Sequence, residues 1–279
     1  ADVGWAQFKL PSKALPKAKA MAPKILANIL NDDGSIYMGF GSFNPRLNLY
    51  RAPTDNDRIG NISKMWHEWG IENLDRTKVK ITKSGNSYKI TSVYVTSKGI
   101  EIKQSQMITE IVDGIRVVEE TTLPTVLSDV ARVGITFELD GHFSRMRYFG
   151  SGPSETYPDR RLSPIGRYES EVSDQYVPYV KPQENGGHAD VRWVEIFNNH
   201  FETVRIELEK PGQVSVTPYR AIDLTTATHD VELKESNVTV VSIDTAHRGL
   251  GTASCGPDTL AQYLIKPGKH TLAYTLTYK

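Results

Sequence analysis

Short β-branched runs that stop abruptly at Gly, Asn and Asp constrain this chain more than any other feature. Val79-Lys80-Ile81, Tyr88-Lys89-Ile90, Ile100-Glu101-Ile102 and Ile115-Arg116-Val117-Val118 read as strands. Gly85-Asn86, Lys98-Gly99 and Asp113-Gly114 separate them. Asp-Gly between apolar runs signals a hairpin, because the turn needs positive φ. Val191 to Phe197, Val204 to Leu208, Asn237 to Ile243 and Thr271 to Tyr278 repeat the style, with Lys210-Pro211-Gly212 and Lys266-Pro267-Gly268 as breaks. Many short strands joined by Gly/Pro turns define an all-β antiparallel sandwich. Helical signals are confined to Ser63–Leu74, with Ser63 as N-cap, and to a short stretch from Ile222 to His229.

The charges balance at 33 Lys+Arg against 33 Asp+Glu, so the basic footprint of a general nucleic-acid binder is missing. No apolar run reaches the ~18 residues that a spanning helix needs. A single cysteine, Cys255, excludes an internal disulfide and a Cys-rich zinc site, and leaves the compartment open. Ala1-Asp2-Val3-Gly4-Trp5 carries neither an initiator Met nor a signal peptide, and Trp5 to Leu10 alternates like a strand already under way. The chain thus reads as cut from something longer, and localisation is unknown. Pro11, Pro16 and Pro23 among lysines suit an extended linker, which divides the chain into 1–24 and 25–279. Gly141 to Gly187 shows no clear periodicity, and a long irregular stretch in a compact domain is usually functional or an interface.

Chemistry-bearing residues fall in clusters. In Arg51-Ala52-Pro53-Thr54-Asp55-Asn56-Asp57-Arg58-Ile59-Gly60, Asp55 and Asp57 suit a metal or a sugar hydroxyl, and equally suit turn amides balanced by Arg51 and Arg58. A calcium loop needs more oxygen ligands than are present. Around Gly150-Ser151-Gly152 the Lys-Ser/Thr ending of a phosphate loop is absent. Glu155 and Asp159 are either an acid/base pair or ion-pair partners of Arg160 and Arg161. Tyr176 to His188 sets Tyr179 beside Glu184 and Asn185, which fits either sugar recognition or a proline-braced loop. His188, His229 and His247 have no metal-ligand spacing and read as structural. Gly249 to Pro257 reads as a flexible loop, and Cys255 sits in no nucleophile motif.

Taken together, these segments resemble the β-galactosidases of glycoside hydrolase family 2. Arg51 to Asp57 is similar to that family's RAPxDND motif, and Gly150 to Arg160 to its GxGPxExYPDR. Tyr176 to Gly186 looks like its Y-x-PY-x-x-PxENG. Thr217-Pro218-Tyr219, Leu224 to His229, Gly249-Leu250-Gly251 and Ser254-Cys255-Gly256-Pro257 continue in order. The match is to the C-terminal, small-chain domain, with Trp5 to Leu10 resembling the last strand of a preceding immunoglobulin-like domain.

The resemblance implies a large antiparallel β-supersandwich, galactose mutarotase-like, with the rest of a β-galactosidase chain as partner and a homo-oligomer as a possible assembly. It implies that the two glutamates of a retaining reaction lie on a (β/α)₈ barrel absent from this chain. Mg and Na belong to other domains of such enzymes, so no cofactor or metal is expected here. Terminal β-D-galactose is the implied sugar. Arg51, Asp55, Asn56, Asp57, Gly60, Ser254 and Cys255 are implied at the rim of its site, and Glu155, Tyr157, Asp159, Arg160, Tyr179, Glu184, Asn185 and His188 are recognition candidates. Some members carry Trp where this chain has Cys255, which leaves that loop shape and soft contact only. The Arg51–Gly60 and Ser254–Pro257 loops are expected at one edge of the sandwich, facing outward. Two other readings remain open: a purely structural module, and a stand-alone sugar-binding or epimerase-like module pairing His142 or His188 with Glu155 or Glu184.

Overall fold

The computed structural model describes residues 30–279, apart from Gly39 and Phe201. The strand read at Trp5 to Leu10, the linker and the boundary at residue 24 lie outside the described residues. The strands in chain order are β1 (Ile36–Met38), β2 (Gly41–Phe43), β3 (Arg46–Asn48), β4 (Leu74–Ser84), β5 (Ser87–Thr96), β6 (Glu101–Ile111) and β7 (Gly114–Leu123), with the alternating runs from Val79 to Val118 falling in β4 to β7 as expected, Ile100 just ahead of β6. They are followed by β8 (Arg132–Asp140), β9 (Arg145–Ser151), β10 (Ile165–Glu171), β11 (Gly187–Phe197), β12 (Thr203–Thr217), β13 (Val238–His247) and β14 (Gly268–Tyr278). Gly85-Asn86 makes the β4–β5 turn, with Gly85 at φ +62°, where a side chain would be strained.

A 12-stranded sheet runs β10-β9-β11-β12-β14-β7-β6-β5-β4. β12 is its branch point. Val204 to Leu208 pairs with β14, whereas Gln213 to Thr217 pairs with β13, which leads on to β8 and β3. Lys210-Pro211-Gly212 therefore does not end a strand. It marks where one continuous strand exchanges partners, so that the sheet folds over itself into a sandwich. The main core joins both branches: Ile135, Phe137, Val241 and Ile243 from one, and Ile196, Ile206, Tyr274 and Leu276 from the other. Phe43 closes an end edge-on against Phe137, with ring centroids 5.0 Å apart.

Six strands (β1, β2, β3, β8, β9 and β10) and a helix lie where the sequence reading placed none. β9 and β10 occupy the stretch from 141 to 187. β10 is half or fully exposed along its whole length, so it shows no apolar alternation. Helix α1 (Asp55–Ile59) occupies the acidic loop. Helix α2 spans Ile62–Trp69 rather than Ser63–Leu74. Gly70 in the left-handed conformation stops it, and Ile71 N–H reaches back to Trp66 O at 3.3 Å, releasing Leu74 to begin β4. Its N-cap is Asn61, at φ +61°, not Ser63. Helix α3 (Ala221–Thr226) is the short helix expected near Ile222. Trp66 anchors a second core with Leu49, Tyr94, Ile102 and Leu127 beneath α2.

Candidate functional site

The acidic segment folds into α1 because Thr54 caps it. Thr54 Oγ1 accepts from Asp57 N–H at 3.2 Å, and Asp57 Oδ2 accepts from Thr54 N–H at 2.9 Å, a reciprocal cap. Asp57 is thereby drawn inward. Arg51 meets it with Nε donating to Oδ2 at 3.1 Å and Nη2 to Oδ1 at 2.8 Å, both side chains fully buried. The remaining Arg51 donors hold the carbonyls of Arg248 (2.6 Å) and Gly249 (3.1 Å), at the root of the second motif loop. Arg248 in turn donates to Asp129 and Asp258, each at 2.8 Å. Its charge is held more firmly than usual, because these carboxylates outweigh the cost of burial.

Above this root the two loops touch. Asn56 Nδ2 donates to Gly251 O at 2.7 Å, and Asn56 Oδ1 accepts from Ser254 N–H (2.9 Å) and Ser254 Oγ (2.6 Å). Gly60 has φ −71°, open to any residue. A Cβ there would lie 3.0 Å from Asn56 O and 3.4 Å from the Ala253 side chain, so the absence of a side chain is a matter of space between the loops. Asp159 pins the same loop from the other side, accepting from Leu250 N–H (2.9 Å) and Gly251 N–H (2.8 Å). A cleft of about 570 Å³ lies between them, bounded by Asn56, Asp159, Arg160, Thr252 and Tyr263.

The third motif segment joins the assembly. Asp55 N–H donates to Gln183 Oε1 at 2.9 Å, and Arg58 donates to Pro182 O at 3.2 Å. Glu155 is buried and gathers Tyr179 OH (2.6 Å), Arg160 (2.9 Å) and Gly186 N–H (3.0 Å), with Tyr157 OH at 3.4 Å. Asn185 braces its own turn, accepting from Val177 N–H at 3.1 Å and donating to Gln183 O at 2.8 Å. The Tyr176–His188 segment is thus a braced loop, with Gln183 held by Asp55 N–H and Asn185 by its own backbone. Burial beside Glu155 raises the Tyr179 phenol above its usual range.

A buried charged layer continues into the sandwich. Arg132 on β8 binds Asp244 on β13 through Nε (3.0 Å) and Nη2 (2.6 Å). Glu184 Oε1 stands 3.8 Å from Arg132 Nη1 and 3.8 Å from His247 Nε2. Burial raises the Glu184 carboxyl, but Arg132 and His247 reverse this and hold it below the ordinary range. His247 Nδ1 donates to Arg248 O at 2.9 Å.

The predicted residues therefore separate. Asp55, Asn56, Gly60, Ser254 and Cys255 are partly or fully open at one edge, with the Cys255 thiol free. Arg51 and Asp57 are not rim groups facing outward: the strong mutual ion pair and the reciprocal cap bury both. Glu155, Tyr157, Glu184, Asn185 and His188 are buried as well, while Asp159 and Tyr179 are half-buried and Arg160 is exposed. Asp159 spends its carboxylate on backbone amides, so Glu155 and Asp159 are no acid/base pair. His188 is enclosed by Tyr148 and Ser151, and burial lowers its pKa to about 4. His142 lies on the surface with Asp140. The four proposed His–Glu pairings are not formed; the histidine nearest Glu184 is His247. Sequence reasoning missed Arg132, Asp244 and Arg248, because isolated charges within or just beyond strands carry no spacing signal, and it read His247 as structural. Among the described residues no three His, Cys, Asp or Glu side chains converge in a metal-holding arrangement, and no helix is long and apolar enough to cross a membrane.

An antiparallel supersandwich whose motif loops close over a buried charge cluster at one edge is the class of domain defined here. The profile described as "Beta galactosidase small chain" matches residues 27–277, and the chain belongs to that family. A β-galactosidase from Arthrobacter sp. (strain B7) is 28% identical over 95% of this chain and 29% of its own length. One from Actinobacillus pleuropneumoniae is 30% identical over 83% of this chain and 23% of its own length. The chain thus spans under a third of the curated relatives it matches. Similar solved structures include a galactose mutarotase-like protein from Clostridium acetobutylicum, at 10% identity and TM-score 0.39 over 89% of this chain and 76% of that one.

Proposed function

We propose that this chain is the non-catalytic, carbohydrate-contacting part of a β-galactosidase, and that its paired loops complete the rim of the pocket that takes a terminal β-D-galactose residue. The observation that carries this reading is Asn56, whose amide ties Gly251 and Ser254 to the acidic segment. Two motif segments almost 200 positions apart are thereby presented as one surface. The groups left open on it are polar and uncharged or singly charged, and so suit sugar hydroxyls: Asn56, Ser254, Asp55 and Thr252. The buried Arg51–Asp57 and Arg248–Asp129 pairs serve rigidity, holding the loop roots in one geometry.

In this reading bond cleavage belongs to a pair of carboxyl groups on the rest of the enzyme, with a separation of about 5 Å for a retaining reaction. This chain supplies orientation and water exclusion at the pocket edge. The test is Asn56→Ala in the complete β-galactosidase, assayed on a chromogenic β-galactoside. Loosening the loops raises KM several-fold while thermal stability changes little. An unchanged KM and kcat would remove the loops from the site.

A further inference from the structure

A second cleft, of about 250 Å³, opens on β8, β13 and the second half of β12, away from the paired loops. Its base is charged and incompletely bonded. Arg132 commits Nε and Nη2 to Asp244, and its Nη1 stands 3.8 Å from Glu184 Oε1, too far for a hydrogen bond. Behind Glu184, the buried Nε2 of His247 has no hydrogen-bond partner and lies 3.8 Å from the same oxygen. Glu72, on the cleft wall, bonds His67 through Oε1 at 2.7 Å and leaves Oε2 buried without a partner. Buried polar atoms are nearly always satisfied, so unfilled capacity on both sides of one cleft points to an occupant.

The lining specifies that occupant. Thr136, Ser215, Thr217 and Ser242 contribute hydroxyl groups from adjacent strands. Tyr50 and Tyr219 add ring surface. Two positive groups, Arg132 and Arg220, face three carboxylates, Glu184, Glu138 and Glu72, with Arg220 bound to Glu138 at 2.6 and 2.9 Å. The excess carboxylate disfavours an anion and the two guanidinium groups disfavour a cation, whereas the mixture of donors and acceptors suits a neutral ligand rich in hydroxyl groups. Its volume falls just below the ~300 Å³ at which drug-sized sites begin, which limits the ligand to one small ring.

We propose that this cleft binds a single neutral monosaccharide, with Glu72 and Glu184 accepting from its hydroxyl groups and Arg132 Nη1 donating to one. The proposal does not rest on the loop-rim reading. With few polar contacts and no large apolar area, affinity falls in the millimolar range.

The experiment titrates the isotopically labelled 279-residue chain with D-galactose and with D-glucose while following its amide and histidine ring signals. The expected result, for at least one sugar, is a saturable shift confined to Ser215, Thr217, Arg220 and Ser242, together with His247. Thr136→Phe, which fills the cleft from a half-buried position, weakens that binding about tenfold or more. Glu184→Gln weakens it as well, and the spectrum of each variant checks that it is folded. Shifts centred on Asn56, Gly251 and Ser254 would overturn the cleft and support the rim. No saturable shift with either sugar, or undiminished binding in folded Thr136→Phe, would leave an internal water as the occupant and overturn the proposal.

Discussion

Arg51 and Asp57, six positions apart, meet in two nearly parallel hydrogen bonds with both side chains fully withdrawn from solvent. The pair joins the start of the acidic segment to its first helical turn, and through the Arg248 and Gly249 carbonyls to the opposite loop. Removing one partner of such a pair leaves an uncompensated charge. Asp57→Ala is therefore expected to lower unfolding stability by about 3–5 kcal/mol. Urea titration checks this. A loss under 1 kcal/mol would show that Arg51 finds other compensation.

Asn56 connects the loops without belonging to either core. Asn56→Ala removes the acceptor for Ser254 N–H and the donor to Gly251 O. The expected outcome is at least tenfold faster hydrogen exchange at Ser254 with exchange in β12 and β13 unchanged, since local opening needs no global unfolding. Unaltered Ser254 exchange would mean that the loop stands by itself.

Glu119 provides a pH test. It is buried on β7, bonded to Tyr274 OH (2.8 Å) and Gln104 Nε2 (2.9 Å), and burial raises its carboxyl from 4.5 to about 7. Between these values the folded chain binds a proton that the unfolded chain has released, so Glu119 makes stability fall as pH rises, by about 3 kcal/mol in all. His188 acts in the opposite sense: its pKa falls to about 4, so its contribution is lost as pH drops from 6.5. The two slopes partly cancel in the parent chain, and only a difference isolates one. Glu119→Gln is expected to gain stability relative to the parent as pH rises from 5 to 7. A pH-independent difference between the two proteins would contradict this.

The strand pattern was legible because apolar residues recur on the buried face of β5, β6 and β7, as at Ile90, Ile102, Ile108 and Val117, although Ser92, Gln104, Gln106 and Glu119 share that face. β10 was not, because an edge strand with neither face buried has nothing to alternate. Gly70 marks the true end of α2, a C-cap signal that the run to Leu74 obscured. At the site, motif order brought together the segments that meet in space, but not the direction of their side chains. Arg51 and Asp57 read as exposed polar residues because pairing, which decides their burial, depends on partners such as Arg248 that lie 197 positions away.

Under the proposed function, this chain completes a β-galactoside site while the rest of the enzyme performs the chemistry. The direct measurement is hydrolysis of a chromogenic β-galactoside by the purified chain, by the remainder of the enzyme, and by the two combined. The account predicts no turnover from the chain, little from the remainder, and strong activity on mixing. Turnover that tracks the concentration of the chain alone through repeated purification, or full activity from the remainder without it, would contradict it.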